Sequence, residues 1–241
     1  VLKRFAWFIF KSPQRKNVGV GTLWTDIKGI FGILFRKKSH EEIWVCVGVK
    51  NRTDNLKRLV CSLQKAEDAS SIALSIADAG SDDAVELKTW LGQSWKGKLV
   101  WSAAVQEFHR AEVFNRAIRQ VEGNFIFVCD ADMTVPVDLV KQIRRHVRPT
   151  SAWFPVCQWQ MFEDMHDWKW FTAGTGLFAA HKKWHGDLVY YNETIKGWGA
   201  EDWDMFFRFY QKGIMPLRSR CNGLYHHWHQ SMKPSDWNPL F

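Results

Sequence analysis

Four apolar runs of strand length, each followed by charge and separated by stretches of helical spacing, constrain this chain more than any other feature. They are IWVCVGV (43–49), SIALSIADAGSDD (71–83, a strand ending in acids and Gly), KLVWSAA (98–104) and FIFVCD (125–130). After the first run, Leu56, Leu59, Val60 and Leu63 share one face of a helix expected over 55–65. Further helical runs are expected at 84–91, 111–121 and 137–147. Strands alternating with helices imply an α/β domain, a Rossmann-like, mostly parallel central sheet flanked by helices on both faces. The second half (AWFPVCQWQMF, TGLFAAHKKW, then a helix) is less regular and is expected to complete the sheet with a small antiparallel portion.

In such a sheet, ligands bind beyond the carboxyl ends of the strands. The polar groups that follow each run are therefore candidates to converge: Lys50 and Arg52, then Asp78, then Asp130 and Asp132. Two ionised carboxylates side by side repel and are costly to desolvate. A hard divalent cation, with phosphate oxygens and water completing its shell, removes both problems. Asp-x-Asp alone is a common surface turn; its place after a buried strand gives it weight.

A second half for such a metal site stands at LYHHWHQ (224–230), where His226 and His229 are three apart with His227 between them. Neutral imidazole binds Mn2+ well and Mg2+ poorly, so a mixed carboxylate and imidazole set favours Mn2+, with Mg2+ as the alternative. A third stretch is GWGAEDWDM (197–205). Its glycines allow close backbone approach, Trp198 offers a flat face, and Glu201, Asp202 and Asp204 open a helix that stops near Gly213. Acids there stabilise a helix through its dipole, which would also hold Asp202 ionised, as a general base must be.

Charge is unevenly spread. The first 40 residues hold nine Lys or Arg and one acid, Asp26, which accounts for the whole net charge of +8. The remainder is neutral, which argues against nucleic acid as a partner of the main body. Residues 1–40 read as a basic amphipathic segment with apolar runs far shorter than the roughly 20 residues that span a bilayer. They suit either an anionic membrane surface or a helix packed on the domain, with the boundary near residue 40. The five cysteines show no paired spacing and suit a reducing compartment. Fifteen Trp exceed what a core of this size needs, and exposed Trp commonly serves as a platform for sugar rings.

In this order, these stretches resemble the GT-A glycosyltransferases. They are most similar to inverting β-1,4-galactosyltransferase-type (family 7) and chondroitin-polymerase-type (family 2) enzymes. The resemblance covers residues 43–233 and implies a metal-dependent transfer of sugar from a UDP-sugar to a hydroxyl of a glycan acceptor. GVKNRTDNL (48–56) looks like the family's first donor loop, implying nucleotide contacts for Lys50 and Arg52. DAGSDD implies one for Asp78, and FHRAEVFNRAI (108–118) implies one for Arg110. CDADM matches the DxD motif, with Asp130 near ribose or phosphate and Asp132 on the metal. GWGAEDWD implies Trp198 in the acceptor site and Asp202 as the base beside Glu201. The downstream metal ligands fall on His226 and His229, with the register among His226, His227 and His229 open by one. Gly48 departs from the Pro common in the galactosyltransferase group.

Two other readings compete. An inactive GT-A-like glycan-binding or scaffold protein would not need competent residues at every donor, metal and base position. A sugar nucleotidyltransferase would need a Gly-rich phosphate loop after the first strand, which GVKNRTD is not. NRT (51–53) and NET (192–194) are N-glycosylation sequons. A glycan on Asn51 would crowd the donor loop, which favours a cytoplasmic, membrane-associated location. The Golgi lumen is the alternative if an upstream anchor is missing from this chain.

Overall fold

The computed structural model describes residues 41–103, 108–160, 162–163, 168–195 and 199–229. The expectations for residues 1–40 and for Trp198 therefore lie outside the described residues. Strand β1 (Ile43–Val49) is buried at every position and pairs in parallel with β2 (Ile72–Asp78) on one side and β4 (Phe125–Val128) on the other. Its unbroken apolar run suits it to this position, since both of its faces are covered and no alternation is needed. β3 (Leu99–Ala103) adds in parallel beyond β2.

Helices cover the two faces of this sheet. On one, α1 (Thr53–Gln64) packs Leu56, Leu59 and Leu63 against Val45 and Val47, and α2 (Ala84–Ser94) adds Leu87 and Leu91. Each such Leu contributes about 1.5–3 kcal/mol of apolar burial. On the other face, α3 (Arg110–Arg119) packs Val113, Phe114, Ala117 and Ile118 against Cys46 and Val128. Gly48 is where these layers come closest: a Cβ there would stand 2.8 Å from Val113 Cγ1. The departure at Gly48 thus has a packing reason, the close seating of α3 on β1.

The strand order among the described residues is β3, β2, β1, β4, β8 (Phe178–His181), β6 (Ser151–Trp159), β9 (Met215–His226) and β5 (Met133–Thr134), with β7 (Lys169–Trp170) paired to β6. β8 runs antiparallel to both β4 and β6. The long β9 then lies parallel to β6, and the two-residue β5 runs antiparallel to β9. The second half is thus not made of antiparallel pieces alone. β6 and β9 keep the direction of β1, and the fold is the mostly parallel, helix-flanked sheet that the sequence implies.

Two departures position the site. β4 ends at Val128, so Asp130 and Asp132 lie past the strand in the connection to β5. In β9, residues 221–224 intervene where β6 has only Cys157 between paired positions, and Gly223 takes φ +83°. This irregularity, a bulge in the ladder, bends β9 so that its end pairs with both β6 and β5, setting His226 opposite Met133. Helix α4 (Leu139–His146) follows β5. The short α5 (Lys182–His185) and then α6 (Ala200–Gln211) lead into β9. Among the described residues no helix is long and apolar enough to cross a membrane.

Candidate active site

The strand order changes direction at β1, where successive strands lead to β2 on one side and β4 on the other; such a point opens a crevice at the carboxyl ends. Asp78 ends β2 and is buried; its carboxylate accepts from Ser81 N–H at 3.1 Å and Ser81 Oγ–H at 2.6 Å. Ser81 Oγ accepts from Asn51 N–H at 2.9 Å. Asn51 also exchanges side-chain hydrogen bonds with Asp82, donating to Oδ2 at 3.0 Å and accepting its N–H at 2.9 Å. The loops after β1 and β2 are therefore stitched into one wall. Partly exposed Lys50 and Arg52 flank Asn51. Arg52, Thr53 and Asp82 help line a pocket of about 410 Å³.

Beyond β4 and β9, three expected ligands come together. Asp132 Oδ1 lies 3.4 Å from His226 Nε2, and Oδ2 lies 2.8 Å from His229 Nε2. One donor atom from each of these residues can be chosen so that all three lie within 4.8 Å of one another. Burial alone would raise the Asp132 carboxyl, but the imidazoles of His226 and His229 hold it below its ordinary value. Its Oδ1 is buried with no hydrogen-bond donor, a state that is costly unless something else satisfies it. One carboxylate and two imidazoles, with a carboxylate oxygen left unsatisfied, fit a divalent ion of the Mn2+ type. His227 turns away from this group. Its N–H donates to Asp132 O at 2.9 Å, and its Nε2 meets Thr134 Oγ1 at 2.7 Å.

A second cluster is centred on Arg110, at the start of α3. Nη1 reaches Asp202 in an ion pair and stands 3.5 Å from Glu201 Oε1. Nη2 stands 3.1 Å from Asp130 Oδ1 and donates to Gly176 O at 3.0 Å. The guanidinium lies over the rings of Phe114 and Tyr191. One cation thus faces three carboxylates in a largely buried setting. Burial opposes the charge on Arg110, but Asp202 and Asp130 hold it firmly protonated. Burial pushes the Asp202 carboxyl up to about 7; Arg110 pulls it back, while Glu201 and Asp130 add to the rise. Glu201 is buried, and neither of its carboxylate oxygens has a hydrogen-bond donor.

The structure brings together Asp132, His226 and His229 in one group, and Arg110, Asp130, Glu201 and Asp202 in the other. Sequence reasoning missed the floor of the second group. Gly176 has no room for a side chain: a Cβ there would lie 2.9 Å from Arg110 Nη2 and 3.1 Å from Asp202 Oδ2. The tract TAGTG could have signalled such a close approach. Asn115, within the FNRA-like stretch, was also missed. It accepts Tyr191 N–H at 2.7 Å and donates to Tyr191 O at 2.9 Å, fixing the ring beneath Arg110.

A family model described as chondroitin N-acetylgalactosaminyltransferase matches residues 37–238. A curated relative from Mus musculus, N-acetyl-beta-glucosaminyl-glycoprotein 4-beta-N-acetylgalactosaminyltransferase 1, is 30% identical over 135 residues, covering 51% of this chain and 13% of the relative. The chain spans less than half the length of the first curated relatives it matches. Among solved structures, mannosyltransferase PcManGT from Pyrobaculum calidifontis, in complex with GDP-Man and Mn2+, gives a TM-score of 0.61 at 13% identity over 84% of this chain and 63% of that chain. GalNAc-T7 with UDP, GalNAc and Mn2+ gives 0.60 at 16% identity, over 80% and 45%. These likenesses show the fold, which is GT-A.

Proposed function

Because the chain belongs to the chondroitin N-acetylgalactosaminyltransferase family, we propose that its domain over residues 41–241 is a metal-dependent, inverting glycosyltransferase. It moves N-acetylgalactosamine from UDP to a hydroxyl of a glycan acceptor. The sugar named in the related mouse enzyme, and the UDP, GalNAc and Mn2+ named with the GalNAc-T7 structure, support this donor and cofactor. The observation that carries the reading is the division of one short motif between two clusters. Asp132 faces His226 and His229, while Asp130, two residues earlier, faces Arg110 and through it Asp202.

Asp132, His226 and His229 would hold the divalent ion, which supplies positive charge to offset the negative charge developing on the departing diphosphate. Lys50, Arg52 and Asp78 stand at the joined loops after β1 and β2, where they bind the nucleotide. Arg110 stands between Asp130 and the base, where its charge serves the donor. Asp202 takes the proton of the acceptor hydroxyl. The oxygen forms its bond to the anomeric carbon from the face opposite the diphosphate. The bond from that carbon to the phosphate oxygen breaks, its electron pair leaves with UDP, and the configuration inverts. Glu201 accepts hydrogen bonds from sugar hydroxyls, and Trp198, which lies outside the described residues, is assigned to acceptor binding by the resemblance of its motif.

The test is a screen of UDP-GalNAc, UDP-Gal, UDP-GlcNAc, UDP-Glc, UDP-GlcA and UDP-Xyl for Mn2+-dependent UDP release, with and without glycan acceptors. Release from UDP-GalNAc above the others is expected. Release from none of them would refute the enzymatic reading, and equal release without metal would refute the metal's role.

A further inference from the structure

The two imidazoles proposed to bind metal sit at and just past the end of β9, where the sheet ladder stops and 227–229 continue as irregular chain. Something must hold that chain if His229 is to face Asp132. Gln160, the residue after β6, meets it at two points. Its N–H donates to His226 O at 3.0 Å, extending the β6–β9 pairing by one step. Its side-chain Oε1 accepts Trp228 N–H at 3.2 Å. Its Nε2 donates to Glu163 O at 3.0 Å, which orients the amide. From the other side, His227 N–H bonds Asp132 O.

We propose that Gln160 is a positioning residue of the metal site: its amide fixes the backbone between His226 and His229 and so sets the spacing at which the two imidazoles face Asp132. The assignment rests on the reading of Asp132, His226 and His229 as a metal site. Gln160 touches neither metal nor substrate in this role. Groups outside the coordination shell tune affinity by restricting the directions the ligands can take, commonly by 10–100-fold. The backbone N–H of Gln160 is present in every variant, so side-chain substitution leaves the β6–β9 pairing in place and tests the amide's bonds to Trp228 and Glu163.

The experiment is titration of the metal-free full chain with Mn2+, following the electron paramagnetic resonance signal of the free ion, with and without UDP. Gln160→Met keeps the length of the side chain but removes the acceptor, and is expected to weaken Mn2+ binding about 10–100-fold. Gln160→Glu keeps an acceptor oxygen for the Trp228 amide but loses the donor to Glu163 O, and is expected to lose several-fold less affinity than the methionine variant. If Gln160→Met fails to fold, the shorter Gln160→Asn carries the same expectation of loss. Wild-type affinity in Gln160→Met, or an equal loss in Gln160→Glu, would overturn the assignment. Absence of Mn2+ binding by the wild type would overturn the metal reading itself, and this assignment with it.

Discussion

Asp132 Oδ2 and His229 Nε2 lie 2.8 Å apart, although one follows the fourth strand and the other follows the ninth. Nothing local joins them. The contact exists because β9 bends at Gly223 and pairs with β5 as well as β6, which turns the chain after His226 over the Asp132 loop.

In the proposed metal site Asp132 is the one charged ligand, and the two imidazoles cannot replace it. In Asp132→Ala, Mn2+ binding is expected to be lost and transfer to fall by at least about 100-fold, as metal ligands outweigh the 10–100-fold typical of outer-shell partners. Calorimetric titration with Mn2+, alongside turnover, checks this. Metal-independent turnover in the variant would contradict the role.

Asp202→Asn keeps the shape of the side chain but removes its capacity to accept a proton. Transfer is expected to fall by about 100- to 10,000-fold, while UDP binding stays close to wild type. Separate measurement of UDP affinity and turnover distinguishes this from general disruption of the cluster.

As the proposed base, Asp202 must be ionised to act, and burial pushes its carboxyl up to about 7 against the pull of Arg110. Below that pH the proton is already on the carboxyl and the base is blocked. Hence kcat/KM is expected to rise with pH through about 7 and then level off. Arg110→Gln removes the cation that favours the ionised form, so the rising limb should move to higher pH. A flat profile in the wild type would contradict the assignment.

Gly176→Ala introduces a methyl 2.9 Å from Arg110 Nη2 and 3.1 Å from Asp202 Oδ2. Both groups are held by ion pairs, so the methyl must displace one of them. A shift of about 1 Å in a reacting group can cost on the order of 100-fold, and a fall of that order in kcat is expected. The midpoint of thermal unfolding should fall as well, because displacing either group weakens a buried ion pair.

Asn115 is buried and bonds both main-chain groups of Tyr191. Asn115→Ala leaves that N–H and C=O without these partners, at about 1–3 kcal/mol for each buried polar group. Urea unfolding should show the loss. Activity should fall too, since the Tyr191 ring lies under Arg110.

The layered part of the fold was legible in the residues alone. Runs such as Ile43–Val49 and Phe125–Val128 are apolar at every position, and a strand of that kind is stable only with both faces covered. The helical spacing of Leu56, Leu59 and Leu63 supplied the cover, and the charges after each run marked the crevice. Asp132, His226, His229, Glu201 and Asp202 could be singled out from their residue types, their place after an apolar run or at a helix start, and the resemblance of their motifs. Tertiary structure alone decided how they group. Which imidazoles face Asp132 depends on where β9 bends, and that depends on a ladder irregularity between strands far apart in the chain. MPLRSRCNGLYH, with its Pro, Gly and alternating bases, shows no apolar run to announce a strand. The pairing of Arg110 with both Asp130 and Asp202, and the tight seat at Gly176, arise from four separate segments meeting in one buried space. Spacing along a chain carries no information about such a meeting, because it is set by packing across the sheet.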